Sequence, residues 1–404
     1  MSTAKPYLAR MLAFTPKFSY LAPGDKYLFA PETPRHKFNV IGVGVNGQEH
    51  ICVTMLEGRA AIHGIYDPSP YSVEAAKRVY AQFVPGGNLV VYDSLEAACN
   101  APEVDGLIIS TPNYTHLDII RVAAKSGKHI LLEKPMATTI RDAHEIAQVA
   151  ATYPAVFQVG LQYRYKPTYV EVIHEALERG SVGEIKTITI LEHRVPFLDK
   201  VKQWNKFSKY SGGTLVEKCC HYFDLMNLFA CSRPASVYAS GSQAVNFLDF
   251  EYGGEKSDIL DNAFVIVDYE NGVRASFNLC MFSPMTYEEL VLCGNLGRLK
   301  VWENEDFLPE PRLKAGLELT SEGRQPSRSS VPAYPAFIES TGHNGATFYE
   351  HVNFVDQIEG KPTNAATAQE GFWSIVVGAA AEESVKTGQV VVINELLRRN
   401  GLDL

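Results

Sequence analysis

The chain has 404 residues, 46% of them hydrophobic and 21% charged, and its 37 Lys and Arg against 46 Asp and Glu leave a net charge of −9. That composition is globular and the length suits two domains better than one. The acidic balance gives no general attraction to nucleic acid or anionic lipid, and no stretch reaches the roughly 18–20 uninterrupted apolar residues of a spanning helix. Neither a nucleic-acid partner nor a membrane partner is expected.

The N-terminus lacks the basic start, apolar middle and small-residue cleavage site of a secretory signal. The seven cysteines (Cys52, Cys99, Cys219, Cys220, Cys231, Cys280, Cys293) are odd in number and show no C-x-x-C spacing. They read as buried thiols in a reducing, cytoplasmic compartment, and no metal site is expected.

In chain order, residues 1–36 are rich in proline and aromatics without a clear period, which predicts an ordered arm over the body or over a partner subunit. From Lys37 the pattern becomes regular. Apolar strands are predicted at Lys37–Gly44, Ala60–Asp67, Leu89–Tyr92, Val104–Thr111, His129–Glu133 and Ala155–Leu161. Helices alternate with them at Gly47–Glu57, Ser69–Gln82, from Ser94, Tyr114–Lys125 and Ile140–Ala151. This alternation implies a doubly wound parallel sheet with right-handed crossovers, a Rossmann domain over 37–162.

After Tyr165 the grammar changes. A helix is predicted at Pro167–Arg179, then strands at Glu184–Arg194, Ser236–Val245, Ala263–Tyr269, Val273–Cys280, Glu289–Cys293 and Arg298–Trp302, with a helix at Thr214–Phe229 between the first two. Glu270-Asn271-Gly272 is a tight hairpin signal. Residues 309–345 read as a long loop, before helices at Thr347–Ile358 and Thr367–Thr387. The expectation for 163–404 is an α+β domain on an open, mostly antiparallel sheet. One sheet face, represented by Val265, Val267, Phe277 and Leu279, is expected to need a partner surface, hence a homodimer or homotetramer.

Four segments carry chemistry. Gly42-Val43-Gly44-Val45-Asn46-Gly47 lies between the first strand and the first helix, with Asp67 twenty residues on at the end of the second strand. Gly42 allows the tight turn, Gly44 the approach of a pyrophosphate, and Gly47 close helix packing; the helix start adds free amides for the phosphates. Asp67 would accept bonds from a ribose diol and repel a 2′-phosphate, so NAD is favoured over NADP. A ligand-free structural turn is the competing reading. Thr111-Pro112-Asn113-Tyr114-Thr115-His116 and Glu133-Lys134-Pro135 leave the carboxyl ends of parallel strands, where such sheets bind ligands.

Lys134 there can hydrogen-bond a reacting hydroxyl and hold developing charge, or simply pair with Glu133. In Gly212–Asp224, a continuous helix would put Glu217 and His221 on one face about 6 Å apart. Histidine can take and return a hydroxyl proton near neutrality. An intrahelical ion pair is the plainer alternative.

These motifs, in this order, resemble the glucose–fructose oxidoreductase / inositol dehydrogenase (Gfo/Idh/MocA) family from Lys37 to the C-terminus, leaving residues 1–36 outside the resemblance. The resemblance implies that Lys134 and His221 flank the substrate carbinol, with His221 as general base. Glu217 stands where the family commonly has aspartate, and Lys218, Cys219 and Cys220 replace small residues. The cofactor-binding set is then Gly42, Gly44, Val45, Asn46, Gly47, Asp67, Thr111, Pro112, Asn113, His116, Glu133 and Lys134.

Tyr163, Arg164, His193, Arg194, Trp204, Asn205 and Lys218 are candidate substrate contacts, their cations suited to an anionic group; the alternative is that Arg164 and Arg194 pair internally with Glu171, Glu192 or the cofactor phosphates. The leading expectation is an NAD-dependent oxidoreductase acting on a secondary CH–OH of a sugar, sugar derivative or cyclitol. The alternatives are an NAD-dependent glycosidase working by transient oxidation, elimination and re-reduction, on an anionic glycoside such as a sulfoquinovoside, and a non-catalytic NAD(H)-binding regulator.

Overall fold

The computed structural model describes residues 33–305, 314–322, 327–339 and 341–403. The arm expected over 1–36 falls outside these residues up to position 32. The chain forms two compact units from alternating stretches of sequence.

The first unit comprises the described residues up to Glu133, with Val149–Gly160 and Pro335–Thr367. Its sheet holds β1 (His36–Ile41), β2 (Ala60–Tyr66), β3 (Val90–Val91), β4 (Gly106–Ile109), β5 (His129–Glu133) and β6 (Phe157–Gly160) in the order β3-β2-β1-β4-β5-β6. Every pairing in it is parallel, as predicted from the near-continuous apolar runs that a sheet covered on both faces requires. The order reverses between β1 and β4, so the β1 and β4 loops flank the switch point of the sheet.

One core binds Phe38, Val40, Ile51, Ile62, Ile108 and Leu131 to Phe354 and Val355 of the helix Ala346–Ile358. Phe354 lies with its ring 5.4 Å from that of Phe38. A helix predicted within 163–404 thus completes the first unit, while Lys134–Gln148 goes with the second. A single cut at 162/163 does not describe this exchange. Apolar periodicity identifies a helix but not the sheet it packs on.

The second unit comprises Lys134–Gln148, Leu161–Tyr334 and Ala368–Leu404. Its nine-stranded sheet runs β16-β15-β14-β13-β7-β12-β11-β8-β17. In chain order these are β7 (Ile185–His193), β8 (Pro234–Ser242), β11 (Asn262–Tyr269), β12 (Arg274–Cys280), β13 (Thr286–Gly294), β14 (Gly297–Glu305), β15 (Ala315–Ser321), β16 (Arg328–Ser330) and β17 (Val391–Val392); a small hairpin, β9 (Glu251–Tyr252) with β10 (Glu255–Lys256), stands apart. Only β7 with β12 pairs in parallel within the nine-stranded sheet. Gly272, at φ +85°, closes the predicted hairpin between β11 and β12.

Three expectations need correction. The stretch 309–345 is not all loop: its described part holds β15, β16 and a short helix at Ala336–Glu339, and Leu317 and Leu319 alternate inward on β15. Val265, Val267, Phe277 and Leu279 need no partner surface, because the chain's own helices Cys220–Ala230 and Ala368–Thr387 cover that face. Phe277 stacks on Tyr222 at 4.8 Å and meets Phe223 at 5.8 Å. The opposite strand phase faces outward, with Phe264 at 62% and Ile266 at 48% exposure beside Tyr238.

The helix predicted over Thr214–Phe229 is in fact two, Thr214–Glu217 and Cys220–Ala230. The Thr214 carbonyl accepts from both Lys218 N–H and Cys219 N–H, and the second bond spans five residues. That wider turn breaks the register on which a shared Glu217–His221 face depended.

Candidate active site

In the first unit β1 runs into a glycine turn and then the helix Val45–Glu57, whose amino end presents amides outside the helical bonding pattern. Gly42 takes φ +83°. A Cβ on Gly47 would stand 2.2 Å from the Gly42 carbonyl oxygen, so this helix can approach the turn only through glycine. Around Gly44 the same construction meets nothing within 4 Å among the described residues, which leaves open space where a pyrophosphate would come close to the backbone.

Asp67 is tied to the turn itself. Its two oxygens accept from the amides of Val43 and Ser69, each at 2.8 Å, and lone pairs remain for a diol. Val45 and Asn46 occupy the first turn of the helix.

The loop after β4 carries Thr111, Pro112, Asn113 and His116. His116 is buried and its Nε2 bonds the Thr111 carbonyl at 3.1 Å, while the Thr115 hydroxyl donates to the Pro112 carbonyl at 2.7 Å. These contacts stiffen the loop. The buried Asn113 amide nitrogen, by contrast, has no hydrogen-bond partner among the described residues. A buried orphan donor beside an open glycine cradle fits a polar ligand such as a dinucleotide.

Glu133, at the end of β5, meets a buried histidine pair. His50 Nε2 lies 2.9 Å from Glu133 Oε1, His50 Nδ1 lies 2.8 Å from His351 Nε2, and His351 Nδ1 lies 3.2 Å from the Thr54 hydroxyl. Thr54 spends its proton on the His50 carbonyl at 2.7 Å, so it accepts from His351 Nδ1–H. Burial, reinforced by His50, pushes His351 well below the ordinary histidine range and keeps it neutral, so its Nε2 accepts from His50 Nδ1–H. His50, Glu350 and His351 offer metal-ligand atoms within 4.8 Å of one another, yet this hydrogen-bond chain accounts for all four ring nitrogens without an ion.

The second unit carries Lys134, Glu217 and His221. Burial alone would raise the Glu217 carboxyl, but the Lys200 and Lys134 ammoniums hold it down at about 2. Lys200 Nζ donates to Glu217 Oε1 at 3.2 Å and lies 4.8 Å over the Trp204 ring. Cys220 is pushed up to about 12 by burial, with Lys134 opposing. The Lys134 ammonium therefore acts on both Glu217 and Cys220.

The His221 ring lies flat on that of Tyr163, with centroids 4.0 Å apart and planes 8° apart. The segment's start is fixed by Glu382, whose carboxylate accepts from Leu215 N–H at 2.9 Å.

Several expected substrate contacts are already engaged. Arg164 forms a two-bond pair with Asp224, at 2.7 and 2.6 Å, and reaches Glu370 at 2.9 Å. Lys218 pairs with Glu192 at 2.9 Å and donates to the Tyr163 hydroxyl at 2.6 Å. Asn205 is buried and donates to the Leu198 carbonyl at 3.0 Å, and Trp204 is buried beneath Lys200. Arg194 donates to the Val195 carbonyl at 3.0 Å and stands 3.9 Å from Glu192, its side chain partly buried; His193 ends β7 half-buried.

Lys166, Lys200, Glu288 and Glu382 escaped the sequence reading, and Glu192 entered it only as a possible partner of Arg164 or Arg194. For Glu192 and Glu288 a signal existed, since both stand on the inward phase of strands otherwise filled by Ile188, Ile190, Leu290 and Leu292.

Residues 36–161 match a family model described as an oxidoreductase family NAD-binding Rossmann fold, and residues 174–393 match its C-terminal alpha/beta domain. The inositol 2-dehydrogenase of Rhizobium meliloti (strain 1021) is 24% identical over 353 residues, covering 86% of this chain and 96% of that protein. The scyllo-inositol 2-dehydrogenase (NAD(+)) of Bacillus subtilis (strain 168) is 23% identical, over 72% of this chain and 79% of its own length. Among solved structures, GenD2 from gentamicin A biosynthesis in complex with NAD superposes with a TM-score of 0.70 at 18% identity, covering 90% of this chain and 99% of that one. The WlbA dehydrogenase of Bordetella pertussis with NADH and UDP-GlcNAcA gives 0.66 at 19%, covering 89% and 99%. No helix among the described residues is long and apolar enough to cross a membrane.

Proposed function

This chain belongs to the Gfo/Idh/MocA oxidoreductase family and binds NAD, and on that premise we propose that it oxidises a secondary CH–OH group of a sugar, sugar derivative or cyclitol. NAD, when bound, supplies the hydride acceptor. The Gly42–Gly47 turn and the helix start at Val45 and Asn46 would hold its pyrophosphate, Asp67 its adenine ribose, and the loop with Thr111, Pro112, Asn113 and His116 its remaining polar groups. Glu133 borders that set and is held by its hydrogen bond to His50. His221 takes the hydroxyl proton, and the Lys134 ammonium holds the charge that develops on the oxygen. Glu217, kept ionised, orients Lys134 and Lys200 and offers an acceptor to a substrate hydroxyl.

What supports the reading is a buried histidine held flat on Tyr163, on a segment whose Glu217 and Cys220 both feel the Lys134 ammonium. The named inositol dehydrogenases among the relatives direct the substrate choice toward polyols. The anionic-glycoside alternative leaned on Arg164, Arg194 and Lys218, and internal carboxylates occupy the first and third of these. The exposed face around Phe264 and Ile266 suits a homodimer or homotetramer, and the seven free thiols suit the cytoplasm.

The test is NAD reduction against a panel of inositols, free sugars and glycosides, with released aglycone followed in parallel. Reduction by a polyol or sugar, lost by about 100-fold or more in Lys134→Ala and His221→Ala, is the expected result. Aglycone release without NADH, with solvent deuterium entering beside the oxidised carbon, would instead establish the glycosidase. Activity unaffected by either substitution would refute the assigned roles.

A further inference from the structure

Tyr163 stood among the expected substrate contacts, but both its functional surfaces are taken. One ring face is covered by His221 and the phenol oxygen accepts from Lys218. We propose that Tyr163 is the positioning residue for His221, a fixed aromatic plate that sets the direction of the imidazole nitrogens and steadies the imidazolium formed when His221 receives a proton. The proposal rests on the reading of His221 as proton acceptor.

The plate is held from several sides. Tyr163 and His221 are 6% and 2% exposed, so neither ring has solvent to swing into. Lys218 donates to the phenol at 2.6 Å and is itself anchored by Glu192 at 2.9 Å. Tyr222 meets the Tyr163 ring edge-on at 5.4 Å, and Tyr169 stacks beyond it at 6.3 Å. Lys166 lies 4.6 Å from the ring centroid and is clamped by Glu288 at 2.7 Å and by Glu303.

A chain of four groups thus runs Glu192, Lys218, Tyr163, His221. Planes 8° apart at 4.0 Å leave the imidazole no room to turn about its last bond, because a tilted edge would enter the phenol ring. The nitrogens are confined to the ring plane and its flipped counterpart.

The electrostatics follow from the same geometry. An aromatic face is negative and attracts a cation lying on it. The ammoniums that share Tyr163 oppose this, but each is matched: Lys218 by Glu192, and Lys166 by Glu288 and Glu303. On the segment itself Glu217 faces Lys134 and Lys200, and Asp224 is spent on Arg164; Arg194 stands toward Glu192. With the fixed charges paired in this way, the plate tips the balance toward the protonated ring by about half a pH unit.

The experiment compares Tyr163→Phe, which keeps the plate and drops the phenol, with Tyr163→Leu, which removes the plate. Tyr163→Met, unbranched and space-filling, serves if the leucine variant does not fold. NMR of ring-labelled histidine, assigned against His221→Ala, reads the His221 titration in the cofactor-free protein, and steady-state kinetics read kcat and KM. Loss of the plate is expected to lower the His221 midpoint by about half a pH unit, move the acid limb of kcat with it, and reduce kcat about tenfold with KM little changed. The phenylalanine variant should keep the wild-type midpoint.

An unmoved His221 midpoint in Tyr163→Leu or Tyr163→Met would overturn the proposal, as would a rise in KM at constant kcat, the mark of a substrate contact. If His221→Ala keeps full activity, the proton-acceptor reading fails separately, while the NMR midpoint still decides whether the plate acts on the ring.

Discussion

Replacing Glu382 with glutamine should make the second unit more stable above neutrality and leave it unchanged below about pH 4.5. Burial raises the Glu382 carboxyl from an ordinary value of 4.5 to about 7, against the opposing pull of Leu215 N–H and Lys386 and with a further push from Asp258. A carboxyl that titrates higher folded than unfolded holds its proton in the folded state after the unfolded chain has released it. Its contribution is therefore fully present below about pH 4.5 and is lost as the pH climbs through 7. Two and a half pH units at about 1.4 kcal/mol each make the loss about 3 kcal/mol.

Glutamine cannot ionise, yet its amide oxygen can still accept from Leu215 N–H, so the anchor survives while the pH term disappears. All three tryptophans, Trp204, Trp302 and Trp373, lie in the second unit, so selectively excited tryptophan fluorescence during urea unfolding reports that unit and not the tyrosines of the first. The stability of Glu382→Gln minus that of the natural chain should rise by about 1.4 kcal/mol per pH unit between 5 and 7 and flatten above. A difference that stays constant from pH 5 to 8, or that falls, would refute the argument.

Three further outcomes follow from the geometry. Gly47→Ala forces a methyl to within 2.2 Å of the Gly42 carbonyl and should weaken NAD binding about 10- to 100-fold, read by calorimetry with the fold checked by circular dichroism. Asp67→Ser removes a charged acceptor and should cost about tenfold or more in NAD affinity while narrowing the preference over NADP, measured as the ratio of the two dissociation constants. Ile266→Glu places a charge on the outward face beside Phe264 and, on the proposed association through that face, should shift sedimentation toward the monomer; an unchanged sedimentation coefficient would refute association there.

Legibility in the sequence divided along the reach of each physical signal. Local periodicity was enough for the parallel sheet, because strands buried on both faces must be apolar throughout and their crossovers have one hand. The glycine turn and Asp67 were readable together because one short βαβ unit brings them into contact, and the Val43 amide does bond the Asp67 carboxylate. The meeting of His50 with His351, 301 residues apart, had no local signal at all. Nor did the break between Glu217 and Cys220, since no glycine or proline marks it; the cause is a shared carbonyl at Thr214.

Glu192 and Glu288 are the instructive middle case. A carboxylate on the inward phase of an otherwise apolar strand is costly to bury unpaired, so each required a cation in the core. Lys166 and Lys218 were the cations near His221, and Lys218 was read as a hand for the substrate. Whether such an ammonium reaches outward to a ligand or inward to a strand carboxylate depends on where β7 and β13 lie relative to the Lys218 segment, which is a property of the packed sheet and of no stretch of sequence taken alone. Once both carboxylates are placed, the cations belong to them, which on the proposed mechanism leaves the imidazole, its aromatic plate, Glu217 and Lys134 for the chemistry at His221.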